Sequence, residues 1–220
     1  MSEPWGEFAQ VALAHLLAVA SPGPDFALVL RQSLAHGRRT AVWTSVGVGT
    51  GILLHVVYSV LGIGLLLKGS DGWFSAVKYA GAAYIAWLGV QALRARPRAG
   101  QPGAGAAEAV GAVRPEERAE PSARAAWTTG FLTNALNPKV TLFFLALFAM
   151  VVSPQTPKWV QAGYGLWMAA VTVAWFALVS VLFTHEPVRR RFMRQGHWID
   201  RALGVVFLLF ALKLALATAG

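Results

Sequence analysis

The stretch SPGPDF, residues 21–26, lies inside an apolar run that is otherwise long enough to cross a bilayer. An unbroken membrane helix avoids such residues. Proline removes an amide donor and clashes with the preceding turn, and a charge at that depth costs ~2.5–3.5 kcal/mol even on the lenient insertion scale. A second stretch of the same kind, LNPKV at 136–140, carries the opposite charge. In both, proline suits the first position of a helix, and the glycine or asparagine before it suits the N-cap. Each therefore reads as an interruption followed by a fresh half-helix. The first is built on Pro22, Gly23 and Pro24, the second on Asn137 and Pro138.

The rest of the chain supplies the setting. Of its 220 residues, 56% are hydrophobic and only 13% charged, with a mean hydropathy of +0.52; soluble domains carry about 25% charged residues. Apolar stretches recur at about 8–30, 41–67, 73–93, 127–152, 159–183 and 202–219, each near the ~20 residues a helix needs to span hydrocarbon. Lipid tolerates no unpaired backbone, so these must be helices. The expected fold is all-α, a polytopic membrane bundle of six transmembrane helices, or five if the interrupted first segment re-enters without crossing. Three spans per half give the halves opposite orientations. Matching interruptions in spans 1 and 4 are then the signature of two inverted three-helix repeats. At 1.5 Å per residue, Pro22 falls roughly 20 Å from the outer end of span 1 and Pro138 roughly 16 Å from the inner end of span 4, both near the midplane.

Between the halves lies RARPRAGQPGAGAAEAVGAVRPEERAEPSARA, 94–125, which is neither apolar nor periodic. Its composition predicts a mobile cytoplasmic linker. The expected units are a first repeat over 1–94, a linker over 95–125 and a second repeat over 126–220.

The formal charge of +9 is a topology signal. Every arginine falls in the 1–2, 3–4 and 5–6 connections (Arg38, Arg39, Arg94 and Arg189 among them), whereas the opposite side has only Lys68 and Lys158 in loops. The positive-inside rule then puts both termini outside the cytoplasm, with some attraction to anionic membrane lipid and no case for nucleic acid as a partner. MSEPWGEFAQ at the start has no basic n-region, so segment 1 is expected to stay in the mature protein. Without cysteine there are no disulfides and no thiolate sites. Trp5, Trp73, Trp127, Trp159 and Trp198 fall near span ends, as an aromatic belt would. The GVGTG run (Gly47, Gly49, Gly51) permits close helix contact, either within the chain or in a homo-oligomer.

The charges in the two interruptions are the candidate site. Asp25 suits the positive end of a half-helix dipole. Lys139 opposes that dipole from the first turn of its own half-helix and sits too deep to snorkel, so something negative must compensate it: Asp25, a substrate carboxylate, or each in turn.

These motifs carry a resemblance. SPGPDFALVLRQSLAHGRRTAVWTSVGVGTG, followed at a distance by GFLTNALNPKVTLFFLALF, with YAGAAYIAWLGVQALR at 79–94, resembles the lysine-exporter (LysE/RhtB) family of amino-acid efflux proteins. The resemblance covers most of the chain outside the linker. It implies a multi-pass secondary exporter in the bacterial cytoplasmic (inner) membrane, not an enzyme and with no cofactor, that moves amino acids or close derivatives outward, driven by protons. In that reading Lys139 and half-helix amides hold the substrate carboxylate. Asp25 holds the ammonium and takes a proton when the substrate leaves, because occupancy alters the proton affinity of a partly desolvated carboxylate. Asn134, Asn137 and Thr133 are candidate polar contacts.

His55, near the middle of span 2, reads as a proton relay beside Asp25 or as a buried histidine bonded to a neighbouring helix. His15 reads as structural. Two rival classes stand beside export of amino acids. Divalent-metal export, known among distant relatives, wants several converging ligands, and only Asp25, His15 and His55 are available, so no metal site is assigned. An intramembrane enzyme wants a nucleophile with its base, and Ser21 has no histidine partner that the sequence places. The spans hold no second carboxylate suited to a cationic side chain, which favours neutral substrates.

Overall fold

The computed structural model describes residues 4–21, 23–66, 71–95, 120–153, 155–183 and 185–216. Among the described residues every regular element is an α-helix: α1 (Pro4–Ala20), α2 (Pro24–Leu66), α3 (Asp71–Leu93), α4 (Ala123–Ala135), α5 (Pro138–Val151), α6 (Lys158–Leu182) and α7 (Glu186–Leu216). Most of the predicted linker, 96–119, and Pro22 lie outside the described residues.

Helices break where the sequence chemistry demands it. α1 stops at Ala20, and Pro24 opens α2 at its first position. α4 stops at Ala135, and Pro138 opens α5 after a bend of 58°. Two differences from expectation stand out. The connection between spans 1 and 2 is shorter than expected: residues 31–40 are helical on either side of Gly37, where two helices meet at a kink (φ 79°, ψ 177°) in a conformation that glycine adopts without strain. The last helix starts at Glu186, well before 202, because its arginine-rich opening turns are as helix-compatible as its apolar ones.

By length and apolarity, Pro24–Leu61 and Lys158–Leu182 can each cross a bilayer, and the bent pair Ala123–Ala135 with Pro138–Ala149 forms a third such unit. α1 is cut short by its break, and basic residues open α7, so neither qualifies on that criterion alone. The outer surface is nonetheless apolar: Trp5, Trp159, Leu136 and Leu216 are each more than two-thirds exposed, which water disfavours and lipid accepts. Trp198 is also exposed, and Trp127 stacks on Phe131 at 5.2 Å. The side chain of Trp73 lies outside the described residues.

Two helix crossings are made by glycine. A Cβ on Gly47 would sit 2.1 Å from the carbonyl oxygen of Trp127, and one on Gly130 would sit 2.1 Å from that of Thr44, so α2 and α4 touch backbone to backbone. Gly49, on another face of α2, leaves room for Val173 of α6. The GVGTG run thus packs within the chain. At the second crossing, Gly89 of α3 and Gly204 of α7 face each other's carbonyls, where added Cβ atoms would come within 2.9 and 2.7 Å. α5 runs between these pairs. Phe144, Leu147 and Phe148 pack with Val11, Ile52 and Met168 on one side, while Ala146 meets Ile85 and Phe207 on the other.

At one end of the bundle the buried Glu7 accepts hydrogen bonds from the Ser153 amide (2.8 Å) and the Thr156 hydroxyl (2.9 and 3.0 Å), tying α1 to the α5–α6 turn. Lys158 donates to the Val60 carbonyl at the same end (3.3 Å). At the other end Thr40 meets Glu120 and Arg201 donates to the Ala95 carbonyl (3.2 Å).

Candidate functional site

Each break is closed locally by its own residues. In the first, the Gly23 carbonyl accepts the Ala27 amide at 2.9 Å, the first bond of α2, and puts Asp25 in the opening turn. In the second, the Asn137 side chain accepts the Lys139 amide at 3.0 Å and its carbonyl accepts that of Thr141 at 3.0 Å. This is an asparagine N-cap with proline at the first helical position. The cap engages the Lys139 amide, so of the second half-helix's amides this one is already used within the protein.

The two breaks also hold each other. Asn134, the last polar residue before the second break, donates from Nδ2 to Asp25 Oδ2 at 2.8 Å. Lys139 reaches the first break, donating from Nζ to Ser21 Oγ at 3.0 Å and, at longer range, to the Ser21 carbonyl at 3.4 Å. Glycines make the space for both contacts. A Cβ on Gly23 would lie 3.3 Å from Lys139 Nζ, and one on Gly51 would lie 2.6 Å from Asn134 Oδ1.

The result is one cavity, about 60 Å³ for the centres of water-sized molecules, which is room for a few waters. Ser21, Gly23, Asp25, Asn134, Asn137 and Lys139 line its polar side, and Phe143, Phe144, Phe176 and Phe207 wall it. Asp25 is 8% exposed, and its Oδ1 has no hydrogen-bond partner of good geometry, although the Asn137 amide lies beside the carboxylate. Lys139 makes no direct ion pair with Asp25. Its ammonium lies 6.0 Å from the Phe207 ring centroid and in the field of two buried carboxylates, Asp25 and Asp200. A buried carboxyl group and an amino group thus stay separate in one cavity.

Of the residues singled out from sequence, Asp25, Lys139, Asn134, Asn137 and Gly23 come together here. Pro24 and Pro138 shape the breaks without lining the cavity, and Thr133, one position from Asn134, turns away because neighbours on a helix point about 100° apart. His55 is fully buried outside the cavity lining; its Nδ1 bonds the Tyr58 hydroxyl and its Nε2 the Asn134 carbonyl at 3.0 Å. It stacks on Phe144 at 5.7 Å. These contacts brace the segment that carries Asn134.

Sequence reasoning missed the role of Ser21 as the dock for Lys139 and the place of His15 and Thr172 in the same lining. It also passed over Asp200, which is buried on α7. A polar residue within an apolar run was the available signal for Thr172.

Among the described residues, an all-helical arrangement with an apolar exterior and a polar cavity between two helix interruptions is the architecture of a membrane protein that takes a small ligand inside its bundle, and the family match makes the class a translocator, not an enzyme. Residues 16–218 match the LysE type translocator family, and the chain belongs to it. It is 30% identical over 210 residues to the threonine efflux protein of Escherichia coli (strain K12), covering 96% of this chain and 98% of that one. It is 29% identical over 210 residues to the threonine efflux protein of Salmonella typhi, at the same coverage. It is also 30% identical over 211 residues to the homoserine/homoserine lactone efflux protein of Salmonella typhimurium, covering 96% of each. No solved structure matches the chain.

Proposed function

We propose that this protein exports small neutral amino acids or close derivatives from the cytoplasm by proton-coupled alternating access. The observation that carries this reading is the separation of Asp25 and Lys139 in one cavity, with Asp25 Oδ1 lacking a hydrogen bond of good geometry. In this mechanism the substrate carboxylate displaces Ser21 from Lys139 and its ammonium takes the vacant side of Asp25. Asn134 holds the other carboxylate oxygen in place. When the substrate leaves outward, Asp25 accepts a proton from that side and releases it inward as the carrier resets, so the substrate-loaded site moves with no net charge and the returning protonated site carries the single positive charge of Lys139.

The architecture we propose is six crossings in two inverted repeats, 1–94 and 126–220, joined by a cytoplasmic linker at 95–125. The span with α1 and the span formed by α4 and α5 carry equivalent breaks. The protein lies in the bacterial inner membrane with both termini outside the cytoplasm, an orientation supported by the arginine distribution. The names of the relatives point to threonine and homoserine as substrates.

Counterflow into proteoliposomes, run against a panel of labelled amino acids with and without a pH gradient, tests this. Threonine or homoserine is expected to accumulate, faster with an opposing proton gradient. A reconstituted protein that moves no amino acid overturns the proposal.

A further inference from the structure

Beyond the charged pair, the cavity has a second polar feature. His15 of α1 is 2% exposed and lines the cavity together with Thr172 of α6. Its Nε2 lies 3.2 Å from the Thr172 hydroxyl, while Nδ1 has no hydrogen-bond partner in the structure. The ring is held edge-on between Phe144 and Trp167, with centroids 6.3 and 6.0 Å away. A buried nitrogen left without a partner costs stability that an apolar ring in the same place would not. Its retention on a cavity wall has a use if something in the cavity bonds it.

The position says what that is. His15 precedes Ser21, where Lys139 docks, by six residues, or ~9 Å along α1. On α5, Phe144 stands against His15 a little over one turn beyond Lys139. A small amino acid held by its carboxylate and ammonium at Lys139 and Asp25 directs its side chain along an otherwise aromatic and aliphatic wall toward His15. A hydroxyl both donates and accepts, so it satisfies Nδ1 whichever nitrogen carries the hydrogen. An ammonium side chain only donates and a carboxylate only accepts.

We propose that His15, oriented by Thr172, is the specificity-determining residue that reads the side-chain hydroxyl of the substrate, which selects hydroxylated over apolar amino acids of equal size. This rests on the amino-acid-export reading and goes beyond it by assigning the selectivity to two residues outside the charged pair.

The test compares L-threonine with L-valine, in which a methyl replaces the hydroxyl, by counterflow in proteoliposomes. The unmodified protein is expected to favour threonine. In His15→Phe, which keeps an aromatic ring against Phe144 and Trp167, the threonine-to-valine ratio of kcat/KM is expected to fall about tenfold, the scale of one lost hydrogen bond. His15→Gln, which restores a donor and an acceptor, recovers part of the ratio, and Thr172→Val lowers it less than His15→Phe does. These two milder variants carry the test if the phenylalanine variant does not insert. An unchanged ratio in the variants, or equal loss of both substrates, overturns the assignment and leaves export intact. So does an unmodified protein that moves other amino acids without preferring threonine to valine. Transport of no amino acid at all by the unmodified protein overturns the export reading instead.

Discussion

The two interruptions solve the same backbone problem with different side chains. At the second, Asn137 caps α5 with its own amide oxygen and the break is closed by its side chain. At the first, Gly23 occupies the cap position and has no side chain to cap with, and the side chains flanking it are met from across the cavity: Asn134 donates to Asp25 and Lys139 donates to Ser21. One break is self-sufficient; the other is completed by its counterpart. In the mechanism proposed above, the second is the fixed platform and the first is the end whose contacts a substrate replaces.

Substitutions separate the two roles. Lys139→Ala removes the group that bridges the breaks and leaves Asp25 uncompensated at depth; transport is expected to fall at least ~100-fold, about 3 kcal/mol, with membrane insertion retained on fractionation. Wild-type rates would remove Lys139 from the mechanism. Asp25→Asn keeps the shape and the Asn134 contact with a neutral group. Counterflow is expected to drop roughly tenfold, and its response to a pH gradient to vanish; a variant that still responds would show that another group carries the proton. Asn137→Ala strikes the self-sufficient break and is expected to cost about 1 kcal/mol, the usual loss for an N-cap, read as a lower melting temperature in detergent. Gly23→Ala strikes the dependent one. Its methyl meets the Lys139 ammonium at 3.3 Å, so a few-fold rise in substrate KM is expected with little change in melting temperature. If these last two variants exchange phenotypes, the division between platform and ligand-responsive end is wrong.

Much of this was legible because proline, glycine and asparagine act on the nearest peptide bonds. SPGPDF and LNPK announce a stop and a start wherever they occur, and both starts fall on the expected prolines. The charged residues could be nominated for the same local reason: Asp25 and Lys139 sit within one turn of a break. What was hidden depends on how helices turn against one another. Ser21 meets Lys139 across 118 residues, and no spacing rule reaches that far. Asn134 and Thr133 looked equally suitable until helix rotation aimed only one of them at the cavity. His15 was read as structural and Asp200 was not singled out, because their burial is set by the elements packed around them. The connection at residues 31–40 looked longer than it is, because two helices meet there at a kink made by a single glycine torsion.

The glycine crossings have a mechanical corollary. Where α2 and α4 seat carbonyl against α-carbon at Gly47 and Gly130, and α3 and α7 do the same at Gly89 and Gly204, neither couple can slide or twist internally without atoms colliding. Each behaves as a welded girder. In the alternating-access cycle proposed above, rocking is taken up between the girders, along seams lined by bulkier, more yielding side chains, where α5 with its lysine runs.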